Sequence, residues 1–296
     1  MKRPVVSVII PTYNNAPLLP ETLAGVKQQT IKDVETIVVD DGSTDQTAQV
    51  VRKYDPSIVY YYQANQRQAA ARNKGVDLAC GEYIAFCDHD DVWNPRHLES
   101  LLNCFELFPA TAMAFDNAEY FGDGSARLHL KSHTSESLNH EKIGVNFLLW
   151  QYPVATMSVV MLGRKYFQML KGLNETVGVM DDYHFYLRLA ARFELRYVDF
   201  IGCKKRVSSS NLSGISNLKE MNLRYLEDIR DNHPEVVRKI GPLRYKLRLG
   251  RKYFKLGRYY AENGDMRLAR EMYRQAFTTN FLNPRYLYYA AAFRRK

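Results

Sequence analysis

The sequence lacks the glycine fingerprints of the common nucleotide folds. No G-x-G-x-x-G and no G-x-x-x-x-G-K-[ST] occurs in it. That excludes a dinucleotide fold with its usual pyrophosphate turn, and a P-loop NTPase. Cysteine is scarce: Cys80, Cys87, Cys104 and Cys203 are the only ones, and no two form a C-x-x-C pair. Scattered over core-like segments, they suit reduced thiols in a cytoplasmic protein better than a disulfide framework. A long apolar run is also missing. The nearest approach, residues 144–163, is broken by Asn146, Gln151, Pro153, Thr156 and Ser158, whereas a membrane-spanning helix needs about 20 mostly apolar residues. It reads instead as a helix end, a loop and a buried strand. The opening "MKRPVVSVII" meets Pro11 too soon for a secretion signal.

What is present describes a globular chain. Of the 296 residues, 46% are hydrophobic and 25% charged, enough apolar surface for one large core or two modest ones. The net charge of +9 hides an asymmetry. Residues 204–296 carry 22 Lys and Arg against 8 Asp and Glu, and the residues before them 19 against 24. A near-neutral body with a basic tail points to an anionic surface that the tail meets.

The first 115 residues alternate β-branched apolar runs (5–10, 34–40, 58–62, 83–86, 112–115) with amphipathic segments (18–29, 45–54, 68–79, 95–108). Apolar strands alternating with helices predict a mostly parallel sheet covered on both faces. In such sheets ligands bind beyond the carboxyl ends of the strands. Three strand patterns end in polar clusters, "PTYNN", "DDGSTD" and "DHDD", so each set is expected at one edge of one sheet.

In "DHDD", alternate carboxylates can converge on a hard divalent cation, which favours oxygen ligands and shares a substrate's phosphates. Asp88 and Asp90 are therefore candidate ligands for Mg²⁺ or Mn²⁺, and Asp91 is expected to cap the helix beginning near Pro95. In "DDGSTD", Asp40 and Asp41 could accept from a base N–H or a ribose hydroxyl, while Ser43 or Thr44 is expected to cap the next helix.

"VSVIIPTYNN", "VDDGSTD", "AARNKGVDLACGEYIAFCDHDDVWNP" and "MDDYHFYLRLA" follow one another at spacings that resemble the family 2 glycosyltransferases over residues 4–215. These are inverting, nucleotide-sugar-dependent enzymes of the GT-A fold that build polysaccharides and cell-surface glycans. The resemblance implies a Rossmann-like three-layer α/β fold: a catalytic domain over 1–217, with a nucleotide half to about 115 and an acceptor half after it. A basic helical extension over 218–296 would follow. It further implies that Pro11, Thr12 and Tyr13 border the nucleobase, that Asp41 reads it with Asp40 nearby, and that Arg72, Asp88 and His89 lie against the nucleotide. Asp88 and Asp90 would form the metal-binding DxD, with Asp90 the stronger ligand, and Asp182 would be the catalytic base. A UDP-sugar donor, a glycan or lipid-linked acceptor and a divalent metal come with the same resemblance. A nucleotidyltransferase, or an inactive sugar-nucleotide-binding relative, is the alternative.

Two departures stand out. The family's glycine in the loop before "ARN" is replaced by Arg67, so either the turn differs or Arg67 reaches towards the diphosphate. Where many members carry a histidine after the base region, this chain has Ser208. Asp181, Arg206 and Ser208 are further candidates for diphosphate or acceptor contacts.

Residues 238–258 hold nine Lys and Arg and no acid, with apolar residues at roughly helical spacing interrupted by Gly241–Pro242 and Gly250. Such a helix suits an anionic membrane surface, here the inner face of the plasma membrane. No nucleic-acid motif accompanies it, so nucleic acid is not an expected partner. Residues 253–280 also resemble one tetratricopeptide-like helix pair.

Overall fold

A computed structural model describes residues 3–122, 139–207 and 218–292. The chain begins with β1 (Val6–Thr12), α1 (Leu19–Lys27), β2 (Val34–Asp40), α2 (Thr47–Tyr54), β3 (Val59–Tyr62), α3 (Gln68–Leu78) and β4 (Tyr83–Phe86). A two-residue β5 (Val92–Trp93), α4 (His97–Leu107) and the long β6 (Thr111–Phe121) follow. The next elements are α5 (Val145–Gln151), a 3₁₀ turn (Met157–Val159), β7 (Val160–Gly163) and α6 (Arg164–Met169). A second 3₁₀ turn (Gly178–Met180) runs into α7 (Asp181–Arg192), and β8 (Glu194–Arg206) closes the sheet.

The eight strands lie in the order β3-β2-β1-β4-β7-β6-β8-β5. From β3 to β4 every pairing is parallel, as alternation of apolar strands and helices demands. Beyond β4 the sheet is mixed: β7 runs antiparallel to both neighbours, β6 and β8 are parallel, and β5 is antiparallel to β8. The expectation of a mostly parallel α/β sheet holds: four of the seven pairings are parallel, and each antiparallel one involves β7 or β5. β1 is buried along its whole length because helices cover both faces. Residues 144–163 form a helix end, a loop and a buried strand, as their interruptions predicted.

Five helices complete the described chain: α8 (Leu218–Asn232), α9 (Pro234–Ile240), α10 (Pro242–Glu262), α11 (Met266–Thr279) and α12 (Pro284–Ala292). Gly241, at φ +97°, and Pro242 separate α9 from α10. Gly250 interrupts nothing. It lies inside α10, where the missing side chain leaves room for Asn280 and Tyr286, so it serves close helix packing rather than a break. The expected pair closes as α10 against α11, burying Tyr253, Leu256, Ala269, Tyr273 and Ala276. No described helix is long and apolar enough to cross a membrane.

Candidate active site

The carboxyl ends of β1 and β4, the start of α3 and the start of α7 open onto one cavity of about 860 Å³. Pro11, Thr12, Tyr13, Asp41, Arg67, Arg72, Asp88, His89, Asp90, Asp181, Asp182 and Arg206 all line it. The parallel half of the sheet delivers Pro11, Thr12, Tyr13, Asp41, Asp88 and Asp90 to one edge, and the start of α7, far along the chain, meets them there.

Arg72 organises the floor. It is 3% exposed, and its Nη2 lies 2.7 Å from Asp88 Oδ1 while its Nη1 lies 3.6 Å from Asp181 Oδ2. Thr156 donates to Asp88 Oδ2 at 3.0 Å, and Gln68 Nε2 reaches Oδ1 at 3.3 Å. Burial would raise the Asp88 carboxyl, but the charge and hydrogen bond of Arg72 outweigh it and hold Asp88 below its ordinary value.

The neighbouring acids are shifted the other way. Burial, and then the charge of Asp88, raises Asp90, and no other side chain among the described residues donates a hydrogen bond to it. An under-coordinated carboxylate facing a cavity is what a hard cation needs, so Asp90 fits a metal ligand better than Asp88, whose oxygens already have partners. Asp182 is pushed up to about 7 by burial and by the charge of Asp181. Its Oδ1 accepts from the Tyr183 N–H at 2.6 Å, which fixes the carboxylate at the start of α7. Asp181 itself is 3% exposed and raised by burial. This helix end is therefore a buried one, against the solvated terminus that two adjacent aspartates suggest.

Asp91 does not cap α4. The cap position is Arg96, with no side-chain hydrogen bond there. Asp91 is 1% exposed and accepts from Ser158 Oγ at 2.6 Å and Arg206 N at 3.0 Å. It ties the "DHDD" loop to the edge of β7 and the end of β8. Burial and Asp88 raise its carboxyl to about 7. Thr156 and Ser158 thus support the acidic loop, a role that sequence reading missed by treating them only as breaks in an apolar run. A T-x-S pair directly before a buried strand was the available signal.

Asp40 lies outside the cavity lining. It is 1% exposed, and it accepts from Ser43 N at 2.7 Å and Tyr60 Oη at 2.6 Å, so it holds the turn that presents Asp41. Asp41 Oδ1 accepts from Gln63 Nε2 and Gln66 N at 2.8 and 2.9 Å. Neither Ser43 nor Thr44 caps α2, which starts two residues later than expected. Ser43 Oγ accepts from Asn14 N, while Asp45 Oδ1 accepts from Thr47 N.

Tyr13, 47% exposed, offers an open ring at the rim, and its N–H reaches His89 Nδ1 at 3.3 Å. Arg206 is already held by Glu21 and by the Asp90 carbonyl. Ser208 lies outside the described residues. Arg67, at the cap position of α3, has φ +75° and ψ 169°. The turn keeps a backbone conformation natural to glycine, and the side chain lines the cavity.

The family model for glycosyl transferase family 2 matches residues 7–170. An uncharacterised glycosyltransferase of Rickettsia felis is 28% identical over 222 residues, 73% of this chain and 36% of that one. The Bacillus subtilis protein TuaG, named as a putative teichuronic acid biosynthesis glycosyltransferase, is 36% identical over 143 residues, covering 47% of this chain and 56% of its own. The chain spans only about a third of the first curated relatives it matches. Among solved structures, S. aureus TarS 1-349 superposes with a TM-score of 0.71 at 18% identity, covering 98% of this chain and 87% of that one. The mannosyltransferase PcManGT of Pyrobaculum calidifontis gives a TM-score of 0.59 at 21% identity over 99% of this chain and 84% of that one. By the extent of the family match and the shared fold, the chain belongs to glycosyl transferase family 2.

Proposed function

We propose that the chain is an inverting glycosyltransferase that moves a sugar from a nucleoside-diphosphate donor to a glycan or lipid-linked acceptor of the cell envelope. One observation carries this reading. Asp182, raised to about 7, lies in the same cavity as Asp88, Asp90 and the start of α3. A base poised near neutrality suits proton abstraction from a hydroxyl.

In the proposed reaction the acceptor oxygen attacks the anomeric carbon and its proton passes to Asp182. The bond from that carbon to the diphosphate breaks, and the diphosphate leaves with the electron pair. A single displacement needs no covalent nucleophile on the protein. The start of α3 lacks a side-chain cap, so its free N–H groups and dipole suit the diphosphate, with Arg67 beside it. Tyr13 stacks on the base, and Asp41 accepts from it. Asp90, with Asp88 near, would hold a divalent cation, which would neutralise charge on the leaving diphosphate.

The complexes of related folds support the donor class. S. aureus TarS has been described with UDP and with UDP-GlcNAc, and PcManGT with GDP-Man and Mn²⁺. On that likeness the donor is a UDP-sugar and the metal Mn²⁺ or Mg²⁺. The teichuronic acid role named for TuaG supports a cell-envelope acceptor.

The same reading sets residues 218–296 against the inner face of the plasma membrane. Its support is α10, where exposed Arg244, Lys246 and Arg251 interleave with exposed Leu243 and Leu247. Phe281 and Leu282, before α12, are also exposed. Basic residues near anionic headgroups contribute about 1 kcal/mol each. Vesicle sedimentation tests this part, since neutralising Arg244, Lys246 and Arg251 is expected to release the protein from anionic vesicles.

The test of the reaction is a screen of UDP- and GDP-sugars with Mn²⁺ for thermal stabilisation, because a ligand binding only the folded chain raises its stability. Product analysis with an envelope-glycan acceptor accompanies it. Release of nucleoside diphosphate is expected. Release of pyrophosphate would instead make the chain a nucleotidyltransferase.

A further inference from the structure

Two cations are packed together on α10 without an acid. Arg248 is 7% exposed, and Lys252, one turn along, is half-buried. The guanidinium lies over Trp150 and Tyr152 at 5.0 and 5.2 Å, and the Lys252 ammonium lies 5.3 Å from the same Tyr152 ring. The acids of neighbouring α8 are turned to other partners. Glu220 accepts from Tyr260, Glu227 from Tyr253 and Asp228 from His184. Lys252 donates to the neutral Asn222 at 3.0 Å. Among the described residues no group accepts a hydrogen bond from Arg248, and its Nε is buried without a partner.

Aromatic stacking explains only part of this arrangement. Rings cover the faces of a guanidinium, whereas its five N–H groups point outwards in its plane. An in-plane fork of donors, with an ammonium one helical turn away, matches a bidentate oxyanion of more than one negative charge. A buried charge without a partner is costly, so its retention needs a reason outside the fold. Burial, and then the charge of Arg248, lowers Lys252 to about 7, the direction expected of a cation awaiting a counter-ion.

The position connects the pair to the chemistry. Tyr152, held at φ +51°, shares a hydrogen bond with Tyr225 and lies 4.4 Å, ring to ring, from Tyr183. Tyr183 follows Asp182. Asn222, which holds Lys252, follows Met221, a residue of the cavity wall. Arg248 and Lys252 do not line the cavity themselves; through Tyr152 and Asn222 they adjoin the wall that carries Asp182 and Met221.

We propose that Arg248 and Lys252, framed by Trp150 and Tyr152, form a binding site for a phosphate group carried by the acceptor. Its placement on the acceptor rests on the glycosyl-transfer reading above, whereas the anion site itself does not. The phosphate belongs either to a soluble polyol-phosphate chain or to the headgroup of a lipid-linked acceptor.

The experiment uses the whole chain with UDP and Mn²⁺ present, to occupy the donor cavity. Calorimetric titration with glycerol 3-phosphate tests the soluble source. Flotation with phosphatidylcholine vesicles, with and without phosphatidic acid, tests the lipid source. Arg248→Gln and Lys252→Met are expected to weaken at least one of these interactions about tenfold, the loss typical of one charge-assisted hydrogen bond, and Lys252→Arg to retain it. Loss in the first arm assigns the polyol source, and loss in the second the headgroup.

A structural role predicts a different pattern. If the pair only braces α10, Lys252→Met should lower the melting temperature. If it is a ligand site, removing the charge should leave that temperature unchanged or raise it. Wild-type affinity in both arms for both neutral variants overturns the proposal, as does a fall in melting temperature with binding intact. Donor-induced stabilisation, measured alongside, tests the glycosyl-transfer reading alone.

Discussion

At the carboxyl edge of the sheet, Asp88 and Asp181 surround a buried arginine, while on α10 Arg248 and Lys252 share an aromatic frame without any acid. Both regions crowd like charges away from water. In the acidic region the fold supplies its own counter-ion, which holds Asp88 low while Asp90, Asp91, Asp181 and Asp182 keep raised carboxyls along the cavity. In the basic region no described residue does so. Where a fold neutralises a charge, the charge is explained by architecture. Where it leaves one open, a ligand is the economical explanation.

The largest effect that would break this comparison belongs to Asp182. Asp182→Asn is expected to reduce turnover by about 10²–10⁴-fold, the range of a positioned general base. Donor-induced thermal stabilisation should persist, and turnover within a few-fold of wild type would remove Asp182 from its role. Next comes Arg72. Arg72→Met strands Asp88 and Asp181 in the interior and should lower unfolding free energy by about 3–5 kcal/mol, measured by urea titration. The matching change on α10, Lys252→Met, carries no such loss.

A smaller effect concerns pH. Asp182 keeps its proton up to about 7 when folded, against an ordinary value of 3.8. Turnover should therefore rise with pH to a plateau above about 7. For stability the sign is reversed. A raised carboxyl favours the folded state below its unfolded value, and that contribution is lost as pH rises through the folded value. Asp182→Asn removes this loss, so the variant should gain on wild type between about pH 4 and about pH 7 in parallel unfolding titrations. Asp88, whose carboxyl is lowered, contributes in the opposite sense, stabilising at neutral pH and losing that contribution on acidification.

Much of this was legible in the sequence because it is local. The patterns of β1 to β4 and the helices between them need only neighbouring residues, and "DHDD" and "MDDY" declare their carboxylates. What escaped was long-range. Asp91 reads as a helix cap until Ser158, 67 residues later, arrives to donate to it. Asp40 and Asp41 look equivalent until Tyr60 claims the first. β8 was not recognised as a strand because its later half, with "CKKR", alternates weakly. The clustering of Arg248 and Lys252 was visible as charge, but the absence of a nearby acid is a property of packing.

The backbone at Arg67 has a consequence of its own. A side chain at φ +75° and ψ 169° occupies a region that glycine alone enters freely, and such a residue costs about 1–3 kcal/mol. Arg67→Gly should thus make a sturdier protein, with a higher melting temperature, and a poorer one for holding the donor diphosphate. Selection for thermal robustness alone would be expected to discard this arginine. Screening a library at that position for heat tolerance, and then for donor affinity, should rank the variants in opposite orders.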